Sequence, residues 1–226
     1  MDLLVIPDIH NHIETAEAKI AKHPGLPVLF LGDYFDSFDD NANDAEKTAH
    51  WLKKSLATPG RTHLFGNHDL SYWHLAYRCS GYDYLKDGAI ARVMKPPDWQ
   101  KLRVMQRIDG VLYSHAGFSK RWTRSYGTKF EELDKMLHRY IFSPNPKNEA
   151  HPLLEAGISS GGIQSTGGVT WARWRNDFIP IPEQPQVMGH TPQIVPNQHE
   201  NAWCLDSRTG QYYAVVSDGK VELQHL

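Results

Sequence analysis

The sequence contains few cysteines: only Cys79 and Cys204 occur among its 226 residues, and they lie far apart. Two isolated cysteines provide neither the disulfide framework of small secreted domains nor a Cys-x-x-Cys zinc pair, and they fit a reducing compartment. The sequence also lacks the basic N-terminal segment that a signal peptide would have. No apolar run approaches the roughly 18 residues that a membrane-spanning helix requires. We therefore expect a cytoplasmic protein without a membrane partner.

An excess of charge of one sign is also absent. The 24 lysines and arginines nearly balance the 26 aspartates and glutamates, which gives a net charge of −2 and a pI near 6.7. Nucleic-acid-binding proteins usually carry a clear excess of positive charge, so nucleic acid is not an expected partner. The hydrophobic fraction of 40% is typical of a globular protein with a substantial core. The length and the lack of repeats predict a single domain over residues 1–226.

The order of the predicted elements indicates an α/β fold. Apolar, strand-like runs at Leu3–Ile6, Val28–Leu31 and Thr62–Phe65 alternate with helical segments at His12–His23 and Asn43–Ala57. This alternation predicts parallel βαβ units with right-handed crossovers. The C-terminal part has the pattern of several short strands separated by turns. Two sheets packed face to face and flanked by helices would accommodate both halves of the chain.

Each of these three strands, and two later ones, is followed directly by polar residues. A single aspartate at such a position would be an ordinary turn residue. In an α/β sheet, however, ligands bind outside the carboxyl ends of the strands, so these side chains are expected to converge. Buried carboxylates are costly unless they are paired or bind a metal ion, which favours a metal centre. The side chains concerned are Asp8, His10, Asp33, Asn67, His115 and His190.

The mixture of carboxylate, amide and imidazole groups indicates the kind of metal. Imidazole prefers transition metals, so Mn, Fe or Zn fits this set better than Ca or Mg. Six ligands are too many for one open catalytic ion and suit two ions that share one carboxylate. We therefore expect two divalent or trivalent metal ions, with Mn²⁺ preferred and Fe or Zn as alternatives.

The order of these motifs and the residues in them resemble those of the calcineurin-like metallophosphoesterases. The shared motifs are Asp8-x-His10, Gly32-Asp33-x-x-Asp36, Gly66-Asn67-His68-Asp69, His115 and Gly189-His190. The resemblance implies a four-layer αββα sandwich with two mixed β-sheets between layers of helices. It also implies a hydrolase of phosphoric ester or anhydride bonds, whose substrate is a phosphorylated protein, nucleotide or small phosphoester.

The same resemblance implies a role for each site residue. The implied ligands are Asp8 and His10 for the first ion, Asp33 for both ions, and Asn67, His115 and His190 for the second. The catalytic pair would be His68, which protonates the leaving oxygen, and Asp36, which orients His68. A hydroxide held by both ions would be the nucleophile, because coordination lowers the pKa of water from ~15.7 to about 7. The reaction would be a single displacement with inversion at phosphorus and no phospho-enzyme.

The last motif points to one branch of the family. Gly-His-Thr-Pro at residues 189–192 resembles the Ser/Thr phosphoprotein phosphatases of bacteria and phage and the symmetric diadenosine tetraphosphatases. Those relatives carry two phosphate-clamping arginines that are replaced here by Ser37-Phe38 and Phe65. A further arginine of that branch is matched by Arg173, with Arg175 as the reserve candidate. The Gly- and Ser-rich segment before it, residues 155–168, is predicted to be a mobile loop.

The sequence therefore predicts a divergent phosphomonoesterase of the phosphoprotein-phosphatase type, or a hydrolase of nucleotide phosphoanhydrides. Two other functions remain open. A phosphodiesterase or nuclease on the same fold is disfavoured by the lack of a basic stripe and of the Gly-His-x-His motif. A non-catalytic interaction module is disfavoured by the intact pair of His68 and Asp36.

Overall fold

A computed structural model describes residues 1–143 and 149–226 of the chain. Within these residues, ten strands form two sheets of five strands each. The strands are β1 Leu3–Ile6, β2 Val28–Phe30, β3 Arg61–His63, β4 Met105–Ile108, β5 Val111–Ser114, β6 Gln186–Met188, β7 Asn197–His199, β8 Ala202–Cys204, β9 Tyr212–Ser217 and β10 Lys220–His225. The α-helices are α1 Ile13–Ala21, α2 Ala42–Ser55, α3 Asn67–Trp73, α4 Tyr84–Val93, α5 Pro96–Trp99, α6 Lys120–Tyr126 and α7 Phe130–Phe142.

Both sheets are mixed, and each has parallel strands at its centre. The first sheet has the order β10-β9-β1-β2-β3, with β1, β2 and β3 parallel and β9 antiparallel to β1. The second has the order β4-β5-β6-β8-β7, in which β5, β6 and β8 are parallel. The predicted α/β fold with two mixed sheets is thus confirmed.

The core explains why the first strands are continuous apolar runs. In β1, Leu3 and Val5 pack between the two sheets, whereas Leu4 and Ile6 pack on the helix-covered face. A parallel strand that is buried on both faces needs apolar residues at every position. Tyr113 of the second sheet lies in the same intersheet cluster as Val5. Among the described residues, no helix is long and apolar enough to cross a membrane.

Several local predictions can be compared with the observed elements. Strands β4 and β5 are joined by an Asp-Gly turn with positive φ angles at Asp109 and Gly110, as a tight hairpin turn requires. Strand β7 was not predicted, because Asn197–His199 is polar and lies at the edge of its sheet. The segment 155–168, predicted to be a mobile loop, contains a 3₁₀ turn at Ile158–Ser160 and donates two hydrogen bonds to the Asp177 carboxylate.

One buried histidine predicts how stability depends on pH. His63 of β3 is 2% exposed, stacks on the Phe30 ring at 4.4 Å, and contacts the hydroxyl groups of Ser55 and Tyr34 at 3.0 Å. Burial lowers the pKa of His63 from its usual 6.5 to about 3. Between these two pH values the unfolded chain binds a proton that the folded chain does not. We expect this residue to lower stability by about 1.4 kcal/mol per pH unit as pH falls below 6.5.

The measurement is urea unfolding of wild type and His63→Gln from pH 7 to pH 4. The variant should be less stable at pH 7, because it loses the ring stacking, but its stability should fall less steeply as the pH is lowered. His50→Gln, which changes an exposed histidine of α2, is the control and should follow the wild-type curve. Parallel curves for His63→Gln and wild type would contradict the prediction.

Candidate active site

The turns that follow β1, β2, β5 and β6 meet at one edge of the two sheets. The imidazole Nδ1 of His115, after β5, donates to the carbonyl of Leu31, after β2, at 2.9 Å. The backbone N–H of His190, after β6, donates to both oxygens of Asp8, after β1, at 3.1 Å. These bonds connect the two sheets where their strands end. The convergence that the sequence predicted is therefore present in the fold.

One group of side chains lies beside the turn after β1. Potential ligand atoms of Asp8, His10 and Asp33 lie within 4.8 Å of one another. The Nε2 atom of His10 is 3.9 Å from a carboxylate oxygen of each aspartate. Its Nδ1 atom donates to the carbonyl of Phe35 at 3.0 Å. Because that bond places the ring proton on Nδ1, Nε2 keeps its lone pair for a ligand, as in many metal-binding histidines.

A second group shares Asp33 with the first. Potential ligand atoms of Asp33, His115 and His190 also lie within 4.8 Å of one another. The Nε2 atom of His115 is 3.3 Å from Asp33 Oδ2, 3.2 Å from His190 Nδ1 and 3.1 Å from Asn67 Oδ1. Four atoms that can each offer a lone pair thus point at one small volume. This crowding of acceptors is unfavourable unless a cation lies among them, so the donor set fits a metal ion.

The electrostatics of the two groups favour bound positive charge. Burial acts to lower the pKa of His115, but the Asp33 and Asp8 carboxylates outweigh it and raise that pKa to about 9. Burial also acts to raise the pKa of Asp33, yet the neighbouring His115 and His68 hold it well below its usual range. Both shifts indicate a negative electrostatic potential at the site. Two bound metal ions would neutralise this negative charge more completely than protons would.

Two motif glycines leave room for the carboxylates. A Cβ atom on Gly66 would lie 2.0 Å from Asp33 Oδ1, and one on Gly189 would lie 2.0 Å from Asp8 Oδ1. Any side chain at either position would displace a potential ligand. The glycines of the Gly-Asn-His-Asp and Gly-His motifs are therefore explained by close approach rather than by turn geometry alone.

The backbone around the site is unusual. Five residues other than glycine have positive φ angles between 44° and 68° here: His10, Asn11, Asp33, Asp36 and His190. Such conformations are uncommon for residues with a Cβ atom; they cost of order 1–3 kcal/mol each and persist only where the surroundings enforce them. Their clustering at one edge of the fold indicates that local backbone strain accompanies the placement of these side chains.

Asp69 was predicted only as part of a motif, and the structure shows what its side chain contacts. Its carboxylate is fully buried and accepts hydrogen bonds from the N–H groups of Asp33, Tyr34 and Gly66 at 2.7–2.9 Å. It therefore joins the end of β2 to the start of α3. Burial, followed by the charge of Asp33, raises the pKa of Asp69 to about 7. In the sequence, only its position in the Gly-Asn-His-Asp motif indicated that Asp69 belongs to the site.

The predicted catalytic pair is formed. His68 Nδ1 lies 2.8 Å from Asp36 Oδ2, and the His68 ring lies 5.4 Å from the ring of His10. The contact with Asp36 leaves His68 Nε2 as the free ring nitrogen. Burial acts to lower the pKa of His68, but the carboxylates of Asp33 and Asp36 raise it to about 12. Asp36 has two further donors, Tyr72 and Lys86, which the sequence did not single out.

The two candidate arginines lie in different surroundings. The segment that carries Arg173 lies beside the site: the ring of Trp171 is 5.7 Å from that of His190, and the Trp174 backbone N–H donates to the Thr191 hydroxyl at 3.1 Å. Burial lowers the pKa of His190 to about 3, with smaller contributions from the charges of His115 and Arg173. The Nε atom of Arg173 donates to the hydroxyl of Ser160 at 3.1 Å. Arg175 instead donates to Asn197 at 2.6 Å. Arg173 is thus the better placed of the two, and its contact with substrate stays a prediction.

Comparison with known proteins identifies the family. Residues 1–193 match the family described as calcineurin-like phosphoesterase. A search of curated proteins finds no significant match. Among solved structures, a cold-active protein-tyrosine phosphatase of a psychrophilic Shewanella species superposes with a TM-score of 0.67 at 18% identity, over 98% of this chain and 80% of that one.

Two further structures are similar. A putative diadenosine tetraphosphatase has a TM-score of 0.55 and 16% identity, over 99% of this chain and 93% of that one. A protein serine/threonine phosphatase from Saccharomyces cerevisiae has a TM-score of 0.57 and 12% identity, over all of this chain and 80% of that one. At these identities the structures show the fold alone, whereas the family match covers most of the chain. The protein therefore belongs to the calcineurin-like phosphoesterase family and is a metal-dependent hydrolase of phosphoester bonds.

Proposed function

We propose that the protein is a phosphomonoesterase with two metal ions, and that it acts on a phosphorylated protein or a related phosphate monoester. The ligands in this proposal are Asp8 and His10 for one ion, Asn67, His115 and His190 for the other, and Asp33 for both. The observation that carries the proposal is the position of Asp33. Its Oδ2 atom lies 3.9 Å from His10 Nε2 on one side and 3.3 Å from His115 Nε2 on the other.

The proposed metals follow from the donor atoms. Three imidazole groups and one amide accompany two carboxylates, which favours Mn²⁺, with Fe or Zn as alternatives. When bound, two such ions supply Lewis acidity and a nucleophilic hydroxide at neutral pH. Asp33 can serve both ions because only its Oδ1 atom is engaged by the backbone, through the N–H of His68 at 2.9 Å.

The protein residues handle the leaving group. In the proposed reaction the bond between phosphorus and the leaving oxygen breaks, and that oxygen takes the proton from Nε2 of His68. Such general acid catalysis contributes roughly 10²–10⁴-fold to a rate. Asp36 holds the opposite ring nitrogen at 2.8 Å, so the imidazole keeps the orientation that this transfer needs. Because attack and departure are in line, the product has inverted configuration and no residue becomes phosphorylated.

We propose phosphate monoesters rather than diesters as substrates because Arg173, at the edge of the site, is a cation suited to binding a terminal phosphate. Arg173 lies two residues after Trp171, whose ring contacts that of His190 at 5.7 Å, and a guanidinium group can bind phosphate through two parallel hydrogen bonds. The similar structures named above include protein phosphatases and a putative dinucleotide phosphatase, but they are only 12–18% identical. They support the choice of substrate class without deciding it. A nucleotide phosphoanhydride is the alternative substrate class.

The test is hydrolysis of p-nitrophenyl phosphate and bis-p-nitrophenyl phosphate by metal-stripped protein that is reloaded with Mn²⁺, Fe²⁺ or Zn²⁺. We expect turnover of the monoester to require metal, to be highest with Mn²⁺, and to saturate at two ions per chain. A preference for the diester would instead indicate a phosphodiesterase. Metal binding without turnover of either compound would contradict the proposed activity.

Arg173 is expected to affect substrate affinity. Hydrogen bonds to charged groups contribute about 1.5–3 kcal/mol, so Arg173→Met should raise KM for p-nitrophenyl phosphate roughly 10- to 100-fold. Metal content should stay unchanged, because Arg173 contacts Ser160 and none of the proposed ligands in a hydrogen bond. Arg175→Met is the matched control and should behave as wild type. An equal effect of both substitutions would mean that Arg173 contributes only to the surface charge.

A further inference from the structure

Lys86 of α4 is a buried lysine directly behind the proposed catalytic pair. Its side chain is only 8% exposed. The ammonium group donates to Asp36 Oδ1 at 2.6 Å and to the two oxygens of Asp40 at 3.0 and 3.2 Å. A buried ammonium group is costly unless it is paired and fully hydrogen-bonded. These carboxylates provide that pairing, and one of them is the partner of His68.

Lys86 completes the set of donors around Asp36. One carboxylate oxygen, Oδ2, lies 2.8 Å from His68 Nδ1. The other, Oδ1, accepts from the Tyr72 hydroxyl at 2.5 Å and from Lys86 at 2.6 Å. The Asp36 carboxylate therefore cannot rotate without breaking a charge-assisted hydrogen bond, which is about twice as strong as a neutral one. Without Lys86, Oδ1 would keep only the Tyr72 hydroxyl as a donor and would lose its ion pair.

The same lysine connects two turns of the site. Asp40, its second partner, accepts a hydrogen bond from Asn11 Nδ2 at 2.8 Å. Asn11 directly follows His10, one of the proposed metal ligands. Lys86 is thus the central donor of a network that reaches the turn after β1 through Asp40 and the start of α3 through Asp36.

The charges around Lys86 also indicate that it holds Asp36 in place. Asp36 and Asp40 place two carboxylates, 3% and 4% exposed, beside one ammonium group. Without Lys86, these two buried carboxylates would lose the cation that pairs with both of them, which is strongly unfavourable.

We propose that Lys86 is a positioning residue for the general acid: it fixes the Asp36 carboxylate so that His68 presents Nε2 to the leaving oxygen. The proposal rests on the proposed function, since it assumes that His68 protonates the leaving group. Lys86 itself does not touch the substrate. Its replacement should therefore matter most when the leaving oxygen needs a proton, a dependence that a purely structural role would not produce.

The test compares two aryl phosphates with different leaving groups. Phenolate is a poor leaving group that needs protonation, whereas 2,4-dinitrophenolate departs without it. Lys86→Met should lower kcat for phenyl phosphate by about 10- to 100-fold, within the range of a general acid, and kcat for 2,4-dinitrophenyl phosphate by less than about 3-fold. Lys53→Met removes another ion-paired lysine, bound to Asp98 at 2.9 Å, and should change neither value. Equal losses on both substrates, or no loss, would overturn the proposal.

A second readout does not depend on activity. The proton between His68 Nδ1 and Asp36 should give a low-field NMR signal, identified by its absence in His68→Ala. In Lys86→Met this signal should broaden or shift, because the carboxylate is no longer fixed, whereas Lys53→Met should leave it in place. An unchanged signal in Lys86→Met would overturn the positioning role. If wild type hydrolyses neither substrate, the proposed function fails, and the NMR result still decides the role of Lys86. Should Lys86→Met be unfolded at the assay temperature, Lys86→Gln is measured with the same expectations.

Discussion

Asp33→Asn should lose metal and activity together. Asp33 is the one side chain common to both groups of potential ligands, so its substitution weakens both sites. The amide is neutral, which removes the negative charge that draws cations between His10 and His115. Loss of groups that merely support metal ligands costs 10–100-fold in affinity or activity, so a shared ligand should cost more than about 100-fold. Metal content measured by mass spectrometry, beside kcat with added Mn²⁺, checks this expectation.

The control for Asp33→Asn lies in the same loop. Asp39 is exposed, and Asp39→Asn makes the same chemical change six residues further on. This variant should keep two ions and wild-type turnover. An Asp33→Asn protein that still binds two ions would argue against a shared carboxylate, even if its activity were low.

His68→Ala should have the opposite pattern: metal stays and turnover is lost. The imidazole contacts Asp36 and lies at the edge of the ligand groups, while its backbone N–H, which alanine retains, keeps the bond to Asp33 Oδ1. We expect kcat for phenyl phosphate to fall roughly 10²–10⁴-fold, the contribution of a general acid, with little change in KM. Steady-state kinetics and metal analysis on the same sample measure both quantities.

Substrates with different leaving groups distinguish loss of the general acid from a general loss of activity in His68→Ala. Because 2,4-dinitrophenolate needs no proton, His68→Ala should retain much more of its activity on that ester than on phenyl phosphate. His50→Ala, on the exposed side of α2, should have no effect on either. Unchanged turnover of phenyl phosphate by His68→Ala would exclude the acid role. A loss of metal in this variant would mean that His68 supports the ligands instead.

The parts of the site that the sequence predicted are those that follow strands. Asp8, Asp33 and His115 each come directly after a buried apolar run, and the ends of parallel strands meet at one edge by geometry alone. The two sheets were predicted from the order of the elements, because the chain begins with alternating strands and helices and ends in several short strands. The local sequence pattern was therefore sufficient to predict the site residues whose positions are set by the ends of strands.

The residues that the sequence did not reveal depend on contacts between distant segments. Lys86 lies 50 residues from Asp36, in a helix whose sequence carries no motif. Only the packing of α4 beside the loop after β2 brings the two together. Similarly, the resemblance ranked Arg173 above Arg175, but the sequence did not show which side chains the two arginines would contact. A left-handed φ of 64° at Arg175 helps to direct the chain so that the two arginines have different partners.

The left-handed residues at the site have a consequence for protein engineering. Glycine adopts positive φ angles without the steric penalty of a Cβ atom, so replacing such a residue with glycine removes local strain. At Asn11 a glycine would also remove an Oδ1 atom that, among the described residues, is buried without a hydrogen-bond partner. A selection for thermal tolerance that ignores turnover would therefore be drawn toward the catalytic edge of this protein. Libraries intended to raise its heat resistance should hold the turn after β1 constant and vary the opposite end of the sheets.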